Sequence, residues 1–156
     1  MNVNIGLKES SRTRVLALLE STLADETVLA AKTRGFHWNV TGFHFSAMHE
    51  FFGKQYEALD EAGDEVAERS RALGGRSLGS MKEMLAKARL TEAPARMLKE
   101  DSMVGALLSD HEALARSLRR DVDECGQLGD QGTADFLTGM LEMHEKMAWM
   151  LRAFVS

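Results

Sequence analysis

A single proline in 156 residues, Pro94, sets the strongest limit on how this chain can fold. Proline removes a backbone donor and clashes with the preceding helical turn, so a chain without it elsewhere can run in long unbroken helices. The apolar positions use that freedom. Val15, Leu16, Leu19, Leu23, Val28, Leu29 and Ala30 recur at helical spacing, and the period returns in Leu107, Leu114, Leu118 and Val122. It appears again in Phe136, Leu137, Met140, Leu141, His144, Met147, Leu151 and Phe154. Strand-like β-branched runs are scarce. The chain reads as all-α: a four-helix bundle with a short extra helix in the long crossover between the second and third main helices.

The punctuation places the elements. Ser10 or Ser11 is the expected cap of a first helix running to about Trp38. A turn at 39–42 leads to a second helix from Phe43 or Ser46 to Leu73, stopped by Gly74-Gly75. Ser80 with Glu83 three residues on is a capping box for a short helix over 81–89. A third long helix is expected from about Asp101 to Cys125, broken by Gly126 and Gly129, and a fourth after a cap at Asp130 or Thr133. Residues 1–8 read as a flexible polar lead and 9–156 as one domain. The ten methionines and Trp149 read as bundle core.

A net charge of −5 argues against a freestanding nucleic-acid binder, whose phosphate contacts need an excess of Lys and Arg. Cys125 is the only cysteine, which excludes an intrachain disulfide and suits a reducing cytoplasm. The opening MNVNIGLKESSRTR has no apolar run, so no secretory signal is expected. No stretch reaches the length of a membrane span.

The chemistry concentrates between Phe36 and Glu68. His37 ends the first helix, His49 opens the second, and Asp60, Asp64 and Glu68 follow at i, i+4 spacing. Imidazoles with carboxylates suit a hard-to-borderline metal ion. The residues three before the five histidines are Arg34, Thr41, Ser46, Leu108 and Leu141. The Glu-x-x-His motif of intra-bundle di-iron sites is therefore absent. On one helix His49 and Asp64 stand roughly 22 Å apart, too far to share an ion. A second copy packed antiparallel about a two-fold near residues 56–59 would bring His49 of one subunit opposite Asp64 and Glu68 of the other. His37 would join from the same subunit as His49. Two identical sites would result. His44 reads as a helix-start residue, and His111 and His144 as core or interface residues. Trp38 packs beside the site or serves simple packing, and Cys125 has no assigned role.

The stretch Lys32-Thr33-Arg34-Gly35-Phe36-His37-Trp38-Asn39-Val40-Thr41-Gly42 is joined by His49-Glu50, by Asp64-Glu65 with Ala67-Glu68-Arg69, and by Ala72-Leu73-Gly74-Gly75. On these motifs the chain resembles the Dps family, the ferritin-like miniferritins, over roughly residues 9–155. The resemblance implies a ferritin-like four-helix bundle assembled as a hollow dodecamer. It implies a ferroxidase that oxidises Fe²⁺ to Fe³⁺, with hydrogen peroxide as favoured oxidant, and stores the iron inside, protecting against oxidative stress in the bacterial cytoplasm or nucleoid. The ligand positions of the family fall on His37 and His49, with Asp64 and Glu68 from the partner subunit. Zn²⁺ is a rival occupant of the same site. The family usually carries an Asp or Glu four residues after the second histidine; here it is Gly53. Asp60 is the candidate to compensate, from the partner subunit. Glu57, Glu61 and Glu65 are candidates for mineral nucleation, and Asp135, with Asp130 or Asp123, for an iron-entry pore. Direct DNA binding is not expected, since Lys8, Arg12 and Arg14 are the only basic residues of the N-terminal segment and twelve chains carry roughly −60. The alternatives are a nucleoid-binding protective shell and a helical dimer with a static metal.

Overall fold

The computed structural model describes residues 3–155. Five helices form: α1 (Glu9–Asn39), α2 (Phe45–Ala72), α3 (Met81–Lys87), α4 (Glu100–Gln127) and α5 (Gln131–Arg152). No strand occurs among the described residues. The fold is the expected all-α bundle of four long helices, with α3 in the crossover. The α1 and α2 helices form one antiparallel hairpin and α4 and α5 another, while α3 lies on α1. Leu19, Leu29, Phe52, Leu59, Leu107, Leu118, Leu137 and Leu151, all fully buried, fill the space between them.

Helix ends differ from the periodic pattern where a tertiary partner takes a backbone group. The α1 helix starts from Lys8 without a side-chain cap, not from Ser10 or Ser11. The lead packs here: the Val3 carbonyl accepts from Arg12 Nη1 at 2.9 Å, and Leu7 rests on the core. The α3 helix stops at Lys87, two residues short of the pattern. Arg89 N–H and Leu90 N–H turn away from the helical ladder to donate to Asp25 Oδ1 at 2.6 and 3.0 Å. Arg89 also donates through Nε to Asp25 Oδ2 and through Nη1 to Asp121 Oδ2, which ties the crossover to α1 and α4. Ser80 Oγ caps α3 as expected, accepting from Glu83 N–H. Glu83 is held down to about 2, chiefly by Arg76, then by the Gly79 N–H and Ser80.

Gly74 and Gly129 end α2 and α4 in the left-handed region, at φ +83° and +82°. Each end carries the paired hydrogen bonds of a Schellman stop: Gly74 N–H to Arg71 O with Gly75 N–H to Ser70 O, and Gly129 N–H to Gly126 O with Asp130 N–H to Cys125 O. Gly126 therefore lies inside α4. Asp130, not Thr133, caps α5, accepting from Thr133 N–H at 3.0 Å.

The methionine and Trp149 expectation needs correction. Trp149 is 63% exposed in the single chain, Met97 63% and Met81 56%. One residue past Ala148, α5 has turned about 100° away from its buried face.

Candidate metal centre

The two histidines are brought together by the α1–α2 turn. His37 lies in the last turn of α1, whose final carbonyls have no partner within the helix. One of them is met from α2: His49 Nδ1–H donates to His37 O at 2.8 Å. The bond is returned, for His37 Nδ1–H donates to His49 O at 2.7 Å. A carbonyl can only accept, so both Nδ1 atoms carry the proton. In the neutral imidazoles this tautomer puts the lone pair on Nε2. This is how a backbone carbonyl sets the tautomer of a metal-ligating histidine.

The rings stack at 3.7 Å between centroids, inclined by 22°. Phe45 packs on His49 at 5.2 Å and Tyr56 meets His37 edge-on at 5.3 Å. The Arg34 guanidinium lies 4.8 Å over the Tyr56 ring and pairs with Asp60. A continuous row thus runs from Phe45 through both imidazoles to Asp60. His37 lies directly over Gly53: a Cβ there would stand 3.4 Å from His37 Cε1 and Nδ1, in ordinary contact. Both imidazoles are half-buried and Trp38 beside them is exposed.

The carboxylates stand elsewhere. Asp60, Asp64 and Glu68 are exposed on α2, as are Glu57, Glu61 and Glu65. Because α2 is one helix from Phe45 to Ala72, His49 and Asp64 are separated by about 22 Å of axis. Asp60 and Asp64 border a cavity of about 370 Å³ between α1, α2 and α3, whose wall includes Glu26 and Met84. Among the described residues, no three His, Cys, Asp or Glu side chains of one chain converge on a point that could hold a metal ion. Asp135 is exposed on α5, just past its first turn, and Asp123 is exposed on α4. Asp130 is buried and committed: it caps α5, accepts from Thr133 Oγ1 at 2.6 Å and pairs with Arg69 at 3.0 Å. His44 precedes α2 and pairs with Glu100 at 2.9 Å.

The remaining histidines form a cluster that periodicity did not disclose. His144 Nε2–H donates to Glu26 Oε1 at 2.7 Å, and His111 Nδ1 lies 2.9 Å from His144 Nδ1. All three residues are fully buried, and Glu26 Oε2 and His111 Nε2 have no partner. Burial first, and His144 second, lower the His111 pKa well below its ordinary value. The available signal was register: Glu26 sits on the inward face of α1 with Leu19, Leu23 and Ala30, and both histidines sit inward on their own helices. Cys125 is buried, and desolvation raises its thiol to about 12.

The fold has close counterparts. Residues 16–156 match the family described as Ferritin-like domain. The chain is 46% identical to an uncharacterized low temperature-induced protein of Nostoc, over 98% of this chain and 86% of that protein. It is 36% identical to DNA protection during starvation protein 2 of Bacillus anthracis, over 92% of this chain and 97% of the relative. The crystal structure of a Dps protein from Vibrio cholerae superposes with a TM-score of 0.93 at 29% identity, covering 100% of this chain and 98% of that one. That protein is described as a member of a broad superfamily of ferritin-like diiron-carboxylate proteins. The chain belongs to the ferritin-like family, in its Dps branch of miniferritins.

Proposed function

We propose that the protein is a ferroxidase and iron store whose substrate, Fe²⁺, is bound between two copies of the chain and oxidised there, preferably by hydrogen peroxide. The observation that carries this reading is the pair of reciprocal Nδ1 hydrogen bonds between His37 and His49. With neutral imidazoles they put the metal-binding lone pair of each ring on Nε2, and among the described residues no third ligand of the same chain joins them. Asp64 of the partner subunit and Glu68 of the partner subunit complete the set, delivered by a two-fold near residues 56–59. Neutral imidazoles suit Fe²⁺, and anionic oxygen favours the Fe³⁺ product. Two Fe²⁺ each lose one electron, and peroxide takes both with two protons to give two waters. No hydroxyl radical need be released.

Gly53 leaves the second metal position without its own carboxylate. Asp60 of the partner subunit can serve that space only by leaving Arg34. Glu57, Glu61 and Glu65 nucleate mineral on the inner face of a dodecamer, and Asp135 lines the acidic entry that concentrates Fe²⁺. Zn²⁺ competes for the same ligands. A DNA-protective role, suggested by the name of the Bacillus anthracis relative, follows from removing Fe²⁺ and peroxide together, with no direct DNA contact required of a chain at −5. No helix among the described residues is long and apolar enough to cross a membrane.

The test is Fe²⁺ followed by peroxide, monitored by near-ultraviolet absorbance, in the parent and in His37→Ala/His49→Ala. The parent oxidises Fe²⁺ rapidly and the double variant at the rate of protein-free buffer. Equal rates would refute the assignment.

A further inference from the structure

On another face of the bundle, α1, α4 and the segment after α3 enclose a cavity of about 410 Å³. Three arginines line it: Arg89, Arg116 and Arg120. Arg116 and Arg120 are four residues apart on α4, so their side chains rise from the same side of the helix. Like charges at that spacing repel. Ordinarily a carboxylate is placed between them, as it is for Arg119, which pairs with Glu145 on α5. Among the described residues, neither Arg116 nor Arg120 is paired with a carboxylate. Arg120 is steadied instead by donating through Nη2 to Ser117 Oγ at 3.0 Å.

Arg89 is fixed more firmly. Its backbone N–H and Nε are held by Asp25, and its Nη1 by Asp121. A guanidinium has five N–H donors, and these bonds use two, so three remain. Asp25 is buried, and its oxygens are already engaged by the N–H groups of Arg89 and Leu90. Three arginines against Asp25 and Asp121 leave a local charge of +1 on a chain whose total is −5. A recess of one sign on a surface of the other focuses the field on its contents.

We infer that this cavity is a binding site for a small phosphate-class oxyanion: inorganic phosphate, polyphosphate or the phosphate end of a nucleotide. The guanidinium fork matches phosphate oxygens with two parallel N–H donors, and three forks around one recess can share the oxygens of a single ligand. A duplex would instead need a line of cations along its backbone. The ligand is therefore a free phosphate compound that enters the recess.

The site is tested on the iron-free, assembled protein, so that no phosphate is taken up by mineral. Tripolyphosphate is titrated calorimetrically at low salt into the parent, Arg116→Gln/Arg120→Gln, Ser117→Ala and Arg119→Gln, with inorganic phosphate as a second ligand. Helix content and assembled mass are checked for each variant. The parent binds tripolyphosphate, and more weakly phosphate. The double variant loses about a hundredfold in affinity, near tenfold per charge-assisted contact removed. Ser117→Ala loses less, and Arg119→Gln stays within about twofold, since its guanidinium is engaged with Glu145. Absence of binding by the parent overturns the inference. So does equal affinity in parent and double variant, or a loss in Arg119→Gln as large as in the double variant, which would mean diffuse attraction rather than a site. A short duplex bound through Arg116 and Arg120 but not displaced by tripolyphosphate would also overturn it.

Discussion

The buried histidine of α4 gives a prediction whose size follows from its surroundings. His111 is fully buried, 2.9 Å from His144, and its pKa lies well below the ordinary 6.5 because burial, and then His144, oppose its charge. In the unfolded chain position 111 gains a proton as pH falls through about 6.5; in the folded chain it does not. The unfolded state then binds more protons, so stability falls as pH falls. Between about pH 7.5 and about pH 5.5 one such group weakens the folding equilibrium by up to about tenfold per chain, on the order of 1 kcal/mol. His111→Leu removes that contribution. Denaturant unfolding of parent and variant at both pH values, at one fixed protein concentration because assembly enters the equilibrium, gives the double difference. Groups outside the His111–His144–Glu26 cluster cancel in it. The parent should lose more than the variant over this interval, by on the order of 1 kcal/mol. Equal losses would mean that His111 takes up its proton in the folded state, and the buried neutral cluster would be refuted.

Other perturbations reach the candidate centre and the caps. Gly53→Asp places a carboxylate four residues after His49, where a Cβ meets the His37 ring at an ordinary 3.4 Å, so the variant should fold. Anaerobic titration should then show bound Fe²⁺ rising from about one to about two per site; unchanged stoichiometry would clear Gly53 of limiting the second position. Asp60→Ala tests the compensating role: loss of iron stoichiometry or oxidation rate supports it, and no change in either rejects it. Asp130→Ala removes the α5 cap, the Thr133 Oγ1 bond and the Arg69 pair together, and thermal unfolding should report about 2–4 kcal/mol of destabilisation. Cys125, buried with its thiol raised to about 12, should resist iodoacetamide in the native protein at neutral pH and react on unfolding.

Helix existence was legible because apolar period and the scarcity of proline point the same way. Helix ends were legible only where the signal is local. Gly74 and Gly129 require φ that other residues rarely adopt, and the capping box of Ser80 lies within three residues. The α3 end was not legible, because Asp25, sixty-four residues from Arg89, takes the N–H groups that would have continued it. The site divides in the same way. His37 and His49 stand out by spacing, but their tautomers depend on two carbonyls across a turn. Glu26 was invisible because one carboxylate in an apolar stripe has no meaning until its distant partners are in place. Trp149 shows the converse: its apolar character suggested core, but its register on α5, one residue past buried Ala148, turns it outward.

The central claim is that neither chain of a pair holds a complete iron site, and it can be tested by complementation. Chains carrying His37→Ala/His49→Ala are co-expressed with chains carrying Asp64→Ala/Glu68→Ala, and the mixed assemblies are isolated. Each variant alone should oxidise Fe²⁺ no faster than buffer. In random mixtures half of the two-fold pairs are mixed, and each mixed pair has one intact site of two, so about one quarter of the parent's peroxide-dependent Fe²⁺ oxidation should return. No recovery in assemblies that contain both chains would contradict a site shared across the two-fold.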